Sequence, residues 1–251
     1  MPIDEKRRQK KLAKKAAERK AKLAEKRSLA PSGPTAAARQ LPGNLKRITY
    51  EIVDEPLKDH AYAKLPESVK DDLNDIYDSG FKPPRQAIER LKPLIEQYPD
   101  VPQIYNYLHS AYQFLGDQAS ADRILAETLE RFPDYLFGRL AQANACLDRG
   151  EIDRVAEIFD NRFDISLLYP ERRQFHRSEV LNFSAVMARY FHAREEPKKA
   201  EMYYNIMKQM DPDSYITQVI DRLIHADSGF HRVLSKIRKL MEKTRSSRGD
   251  S

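Results

Sequence analysis

The chain has 251 residues and contains few or none of several residue types. Each scarcity excludes certain classes of protein. A single cysteine, Cys146, excludes an intramolecular disulfide, and no Cys/His group has zinc-ligand spacing, so we expect a reducing compartment. Tryptophan is absent and glycines number only 8, which argues against a β-sandwich or barrel. No apolar run is long enough for a signal peptide or a membrane span. These shortages predict a soluble, mostly helical protein that is cytoplasmic, or nuclear in a eukaryote.

The short motifs of common enzymes are also missing. The sequence has no phosphate-cradling glycine loop, no HExxH and no glycine-flanked serine, and its six histidines lack ligand spacing. We therefore expect a non-catalytic protein with no cofactor, no metal and no small-molecule substrate. Cys146 and His109 fall at packing positions of the repeat described below, so we expect both to lie in helix contacts.

Positive charge is concentrated at the two ends of the chain. Residues 1–27 hold twelve Lys and Arg against four Asp and Glu, a net +8, and residues 231–251 have a net +5. Because the whole chain has a net +6, the residues between have a net −7. Any attraction to RNA, DNA or another polyanion is therefore expected at the ends and not in the body.

The basic N-terminal arm, residues 1–28, holds good helix formers but too few large apolar residues to dock a helix, so we expect it to be largely disordered. No aromatic residue interleaves its cations, so binding would involve phosphates and not bases. A solubilising tail that contacts nothing and, in a eukaryote, a nuclear import signal remain alternatives. The cations expected to contact a polyanion are Lys6, Arg7, Arg8, Lys10, Lys11, Lys14, Lys15, Arg19 and Lys20.

A flexible linker is predicted at 29–45, where three prolines and two glycines interrupt the chain. It is followed by a leading segment, 46–83, with one helix that begins near Pro66 and is ended by Gly80. The β-prone stretch at the start of that segment, 46–59, could be extended and lie against the body.

Residues in the central part recur at a spacing of 34. Pro99 and Pro133 have this spacing, as do Gly116 and Gly150. Two further series in the same register are Ala87, Ala121, Val155 and Leu91, Leu125, Phe159. Proline stops a helix and glycine adopts the left-handed turn conformation, so each unit is predicted to be two helices joined by a tight turn. The small residue allows close helix approach and the large one fills the groove one turn later.

These units resemble the tetratricopeptide repeat family over residues 84–213. After a first fragment from Pro84 to Tyr98, the second unit, from Pro102 to Pro133, matches the family pattern at Tyr105, Leu108, Tyr112, Ala121, Leu125 and Pro133, although His109 replaces the usual small residue. The third unit, which begins at Leu136, matches at Ala143, Val155 and Phe159, but has Arg139 and Gln142 in place of the aromatic residue and leucine. A last unit matches at Ala188, Phe191, Ala200, Tyr204 and Pro212. The resemblance implies an all-α helix-turn-helix repeat solenoid.

Eleven additional residues separate the last two units, because Ala200 follows Val155 by 45 positions. We expect this insertion, near 164–183, to lengthen a helix that opens near Pro170, runs to about Arg194 and projects beyond its neighbours. A projecting helix would offer a binding surface outside the repeat.

The family resemblance implies a scaffold that binds a protein or peptide along its concave face, which is lined by the first helix of each unit. Asparagine and glutamine there can bond a peptide backbone without dictating its sequence. Alternatively, these side chains are only solvated surface. The residues that the resemblance places in the groove are Asn106, Ser110, Gln113, Asn144, Asn182, Arg189 and His192.

Two amphipathic helices are predicted in the C-terminal segment 214–245, before a tail at 246–251. They are expected to cap the open end of the solenoid, as terminal repeats must. Alternatively, the second, basic helix contacts a membrane surface or an acidic partner. The sequence thus predicts a helical-repeat adaptor that binds a protein, with an arm that holds a polyanion; the alternative is a pure protein scaffold or assembly factor with an inert arm.

Overall fold

The computed structural model describes residues 50–54 and 60–225, and this part of the chain is mostly helical, as the sequence predicted. The basic arm, the linker, the second C-terminal helix and the tail all lie outside the described residues, so the predictions for them stay predictions. In chain order the elements are β1 (Glu51–Val53), α1 (His60–Ala63), α2 (Glu67–Asp78), α3 (Pro84–Gln97), α4 (Pro102–Leu115), α5 (Gln118–Arg131), α6 (Leu136–Asp148), α7 (Ile152–Ile158), α8 (Ile165–Leu168), β2 (Gln174–His176), α9 (Arg177–Ala193), α10 (Pro197–Met210) and α11, helical over 215–225.

Prolines and glycines set the helix boundaries in the repeat region. Pro84 and Pro102 are the first residues of their helices, where a missing N–H is tolerated. Gly116 ends α4 in the left-handed conformation, with φ of 80°. The N–H of the following Asp117 donates to the carbonyl of Tyr112 at 3.1 Å, and the Asp117 side chain caps α5. The turn predicted from the glycine spacing is therefore confirmed.

Consecutive helices pack against one another in this region, with α3 contacting α4 and α4 contacting α5. The end of α5 lies beside the start of α4, as the hydrogen bond from the Arg131 guanidinium to the carbonyl of Pro99 at 3.2 Å shows. At the same place the rings of Tyr105 and Phe132 meet edge to face, 5.5 Å apart. The two helices therefore run antiparallel, and Ala121 is completely buried in α5.

Ala121 provides a test of this packing. Replacing Ala121 with leucine should lower the free energy of unfolding by about 1–3 kcal/mol, because the added atoms enter a closely packed contact. The matched control is Ala126→Leu, at an exposed position of the same helix, where the change should stay within about 0.5 kcal/mol. Urea unfolding followed by circular dichroism measures both. Equal effects at the two positions would show that α5 presents a different face to α4.

The buried apolar residues form two clusters along the chain. The first runs from Leu65 to Ile124 and holds α2 to α5 together. The second runs from Leu136 to Ile224 and unites α6 with the helices that follow it. The predicted first C-terminal helix, α11, contributes Ile220 and Ile224 to the second cluster. It therefore packs on the helical body, as expected of a terminal element.

The prediction of a long projecting helix opening near Pro170 is wrong at its start. The insertion instead forms the short helix α8 and the strand β2, and α9 begins only at Arg177. A capping box fixes this start: the His176 side chain accepts from the N–H of Ser178, and the Glu179 carboxylate accepts from the N–H of His176 at 2.9 Å. The insertion packs on the body, because Ile165, Leu168 and Phe175 are buried in the second cluster.

The two strands form a parallel pair, with Ile52 opposite Phe175. Phe175 is completely buried, and the ring of Tyr50 meets it edge to face at 5.2 Å. The expectation that part of 46–59 is extended and lies against the body is thus confirmed for Glu51–Val53.

Two further differences from the sequence prediction concern helix lengths. The leading segment contains the four-residue α1 in addition to the predicted helix α2. The helix α7 has 7 residues where its counterpart α5 has 14, and Asp160 and Asn161 after it both have positive φ, at 51° and 55°. The third unit is therefore shortened at its second helix.

Candidate protein-binding surface

One face of α4 is left uncovered by the two helices that pack on it. Asn106, Ser110 and Gln113 share this face, because residues three and four apart lie one above the other on a helix. Gln113 is exposed, and Asn106 and Ser110 are half-buried. The Ser110 hydroxyl donates to the carbonyl of Asn106 at 3.0 Å, so its hydrogen is used within the helix. We call these three residues the polar stripe; they present two amides and a hydroxyl oxygen.

A group of four aromatic rings lies next to the polar stripe. Tyr107 and Phe114 are seven residues apart on α4, about two turns, and so lie on one side of it. The rings of Tyr77, at the end of α2, and Tyr107 stack 5.8 Å apart. The rings of Phe81 and Phe114 stack at 5.7 Å, and Phe81 meets Tyr107 edge to face at 5.5 Å. We call Tyr77, Phe81, Tyr107 and Phe114 the aromatic surface.

Two of these rings support the surface and two face solvent. Phe81 and Tyr107 are buried, whereas the side chains of Tyr77 and Phe114 are 53% and 58% exposed. The Tyr107 hydroxyl accepts a hydrogen bond from the Gln103 amide at 2.8 Å, and burial raises the pKa of Tyr107 above its usual range. The two exposed rings therefore rest on an ordered layer.

Phe81 occupies a backbone conformation that is costly for its residue type. Its φ is 60°, in the left-handed region that bulky side chains seldom adopt. The N–H of Phe81 donates to the carbonyl of Ile76 at 3.1 Å, which closes the end of α2. Contacts with Tyr107 and Phe114 compensate for the strain and hold the ring between the two helices.

The helix that carries Tyr77 is strongly acidic. The residues of α2 include five carboxylates and one lysine. The Arg90 guanidinium donates to Asp72 and to Asp75, each at 3.0 Å, and thereby ties α3 to α2. Asp78, the last residue of α2, interacts electrostatically with Tyr107. The aromatic surface is thus bordered by negative charge on its α2 side.

The remaining predicted groove residues form a separate group between α6 and α9. The Arg189 guanidinium donates to the side-chain oxygen of Asn144 at 2.6 Å and to the Asp148 carboxylate at 2.6 Å. The Asn182 amide donates to the carbonyl of Ser178 at 2.7 Å, one turn earlier in α9. The side chains of these three predicted groove residues therefore already have partners within the fold.

His192, the last predicted groove residue, is half-buried near the end of α9. Within residues 50–54 and 60–225, no side-chain hydrogen bond joins the polar stripe to the α6–α9 group. The structure therefore brings together Asn144 and Arg189, and separately Asn106 and Ser110, but it provides no link between these two parts of the predicted groove.

The aromatic surface is not predicted by the repeat pattern. Its members come from α2, the following loop and α4, so no single helical pattern contains them. The spacing of Tyr107 and Phe114 was the available signal, since residues seven apart share a helix face and neither of the two belongs to the repeat pattern. The predicted polyanion contacts of the arm lie outside the described residues.

Comparison with protein-family models gave no match, and comparison with curated proteins gave no significant one. In the part of the chain that the structure describes, no helix is both long and apolar enough to cross a membrane. Over the same residues, no three His, Cys, Asp or Glu side chains are grouped so as to hold a metal ion.

His109 lies on the buried side of α4, with 5% of its side chain exposed, as its repeat position predicted. Burial lowers its pKa below the usual value, and the negative charge of Asp122 on α5 partly opposes that shift. Above pH 6.5 or so the imidazole is neutral in both folded and unfolded chains. As the pH falls below that value, the unfolded chain takes up the proton first and stability is lost.

His109→Gln, which cannot titrate, should therefore lose less stability than the wild type between about pH 7.5 and pH 5.5. The difference between the two chains should grow by at most about 1.4 kcal/mol per pH unit. Urea unfolding of both chains at three pH values across this interval measures it. Parallel pH dependences would mean that His109 does not stay neutral in the folded protein.

Proposed function

We propose that the chain is a non-catalytic helical-repeat adaptor of the tetratricopeptide type, which binds a protein partner through the exposed face of α4. The observation that carries this proposal is the pair of half-exposed rings, Tyr77 and Phe114, beside the polar stripe. Protein interfaces are enriched in exposed aromatic residues that rest on a packed layer and are bordered by polar groups.

The repeat assignment is supported by the local structure of the best-matching unit. The helices α4 and α5 run antiparallel, Gly116 closes the turn between them, and Ala121 is buried in their contact. In such a repeat, α4 is a first helix, and first helices line the binding face. The polar stripe and two members of the aromatic surface, Tyr107 and Phe114, lie on this helix, which makes this face the favoured contact region.

The two parts of this region suit different tasks in binding. The rings supply apolar area with few rotatable bonds, so little conformational entropy is lost on contact. The amides of Asn106 and Gln113 donate to and accept from a peptide backbone of any sequence. Together they favour a partner segment that is held by its backbone and by one or two side chains.

The arm supports the second half of the proposal. Its net +8 within residues 1–27 stands against the net −7 of the central part of the chain, so it is suited to bind RNA, DNA or another polyanion while the body binds a protein. The alternative is an inert, solubilising arm on a pure protein scaffold or assembly factor. Both versions share the protein-binding face of α4.

The α4 surface is tested by affinity purification with three full-length chains: wild type, Phe114→Ala and Tyr215→Ala. Tyr215 is 78% exposed on α11 and serves as the matched control. A specific protein partner should be retained by the wild type and by Tyr215→Ala and lost with Phe114→Ala. If all three chains retain the same proteins, α4 is not the binding face.

The arm is tested by comparing the full chain with a chain lacking residues 1–45, with and without nuclease. RNA or DNA should be retained at low salt only by the full chain, and its retention should fall steeply as salt is raised. The protein partner should survive both treatments. If the chain lacking residues 1–45 retains as much RNA as the full chain, the arm does not bind RNA, and the alternative of a pure protein scaffold with an inert arm is supported.

A further inference from the structure

Many aromatic rings of this protein are covered by its own cations. The Arg172 guanidinium lies 4.3 Å from the ring centre of Phe175, and the Lys199 ammonium 4.8 Å from that of Phe191. The Arg131 guanidinium and the Lys208 ammonium lie over Tyr105 and Tyr204 in the same way. Such contacts form because the face of an aromatic ring carries partial negative charge.

Tyr77 and Phe114 differ from these rings. Across residues 50–54 and 60–225, no Lys or Arg lies over either ring. Each is stacked on one face, Tyr77 by Tyr107 and Phe114 by Phe81, while more than half of each side chain is exposed. Each ring therefore has its outer face open to solvent and available to a cation from outside this part of the chain.

The charges around Tyr77 favour a cation. Asp78 is exposed at the end of α2, directly after Tyr77, and its negative charge acts on the Tyr107 hydroxyl of the same surface. Among the described residues, Lys70 pairs with Glu67 at 2.8 Å, and Lys82 is exposed beside Phe81.

The carboxylates outnumber these cations. Arg90 offsets part of the charge of Asp72 and Asp75, but α2 alone has a net −4. The phosphates of a nucleic acid would be repelled from such a surface, although its bases could stack on the rings. A cationic side chain would gain both the ring faces and the carboxylates.

We propose that the aromatic surface binds a cationic segment of a partner protein, in which arginine or lysine side chains lie over the outer faces of Tyr77 and Phe114. This rests on the proposed function and specifies the partner's chemistry. Arginine fits better than lysine, because its planar guanidinium stacks on a ring and is more weakly hydrated, while its N–H groups reach a neighbouring carboxylate.

The test uses three labelled peptides, each of four repeats: Arg-Gly-Gly, Lys-Gly-Gly and Gln-Gly-Gly. Their binding to the full-length chain is measured by fluorescence anisotropy at about 50 mM and about 300 mM NaCl. The arginine peptide should bind most tightly and the glutamine peptide roughly tenfold or more weakly. Some of the preference should persist at the higher salt, because a ring contact is screened less than exposed charge pairs are.

Variants distinguish binding to the ring faces from binding to apolar side chains in general. The double change Tyr77→Leu with Phe114→Leu keeps bulky apolar side chains but removes both ring faces. It should weaken the arginine peptide roughly tenfold, whereas Tyr215→Leu, at an exposed tyrosine elsewhere, should leave affinity unchanged. Circular dichroism and thermal unfolding check that each variant is folded, and single leucine variants replace the double one if it is not.

Equal affinity for the arginine and glutamine peptides would overturn the proposal, as would undiminished arginine binding in a folded leucine variant. Tighter binding of oligouridylate than of the arginine peptide, lost in the same variant, would also overturn it. In any of these cases a protein partner that Phe114→Ala no longer retains would still support the α4 surface. If Phe114→Ala also retains the same proteins as the wild type, the proposed function itself is refuted.

Discussion

Replacing Phe159 with alanine is expected to lower the free energy of unfolding by about 3–5 kcal/mol, a large part of the stability of a typical domain. The ring is completely buried and meets Phe183 edge to face at 5.6 Å. Removing it leaves a cavity in the second cluster, where α7 meets α9, and the backbone at this point has little freedom to collapse into it. The N–H of Asn161 is bonded to Ala156 at 2.8 Å and that of Arg162 to Phe159 at 2.7 Å, which fixes the turn.

The matched control for this prediction is Phe114→Ala, the same change at a ring that is 58% exposed. Its cost should stay below about 1 kcal/mol, because only the stack with Phe81 is lost. Urea unfolding monitored by circular dichroism compares the two variants. Equal costs would contradict either the burial of Phe159 or the exposure of Phe114, and the latter would also remove the basis for the binding surface.

Phe159 illustrates what the sequence predicts well. Its place in a 34-residue series with Leu91 and Leu125 marked it as a packing residue, and all three are buried. The spacing works because each buried position must recur where the same helix contact recurs. Helix ends were equally predictable, since Gly116 and Gly150 act through their own backbones and need no distant partner.

The insertion shows where prediction from the sequence failed. The start of α9 depends on contacts made by residues up to 7 positions apart around β2, and on pairing with a strand more than 120 residues earlier. A local helical pattern cannot reveal such pairing, because the hydrogen bonds of β2 go to a distant segment. The capping residues His176 and Glu179 were readable in principle, but histidine is an uncommon cap.

The candidate site was only partly predictable for a similar reason. The polar stripe follows from the helical spacing of Asn106, Ser110 and Gln113. Recognising the aromatic surface, by contrast, requires Tyr77 and Phe81 to be placed against α4, which depends on the packing of the first cluster. Surfaces that combine several elements are visible only once those elements have been packed together.

The second large effect is expected at the ion pair that organises the insertion. The two terminal N–H groups of the Arg172 guanidinium each donate a hydrogen bond to the Glu179 carboxylate, at 2.6 and 3.0 Å. The guanidinium also lies over the ring of Phe175. Glu179 is also the acceptor in the capping box of α9. Glu179→Ala removes the bidentate partner and the cap together, and should cost about 2–3 kcal/mol because Arg172 is only partly shielded from water.

A double-mutant cycle isolates the pair from the cap. Arg172→Ala, Glu179→Ala and the double variant should give a coupling energy above about 1 kcal/mol, since the carboxylate is largely buried and bound at two points. The same cycle on Lys70 and Glu67, an ion pair of 2.8 Å with an exposed carboxylate, should give no more than about 0.5 kcal/mol. If the two coupling energies are equal, Arg172 and Glu179 act only through the cap and the ring, and the ion pair does not hold the insertion on the body.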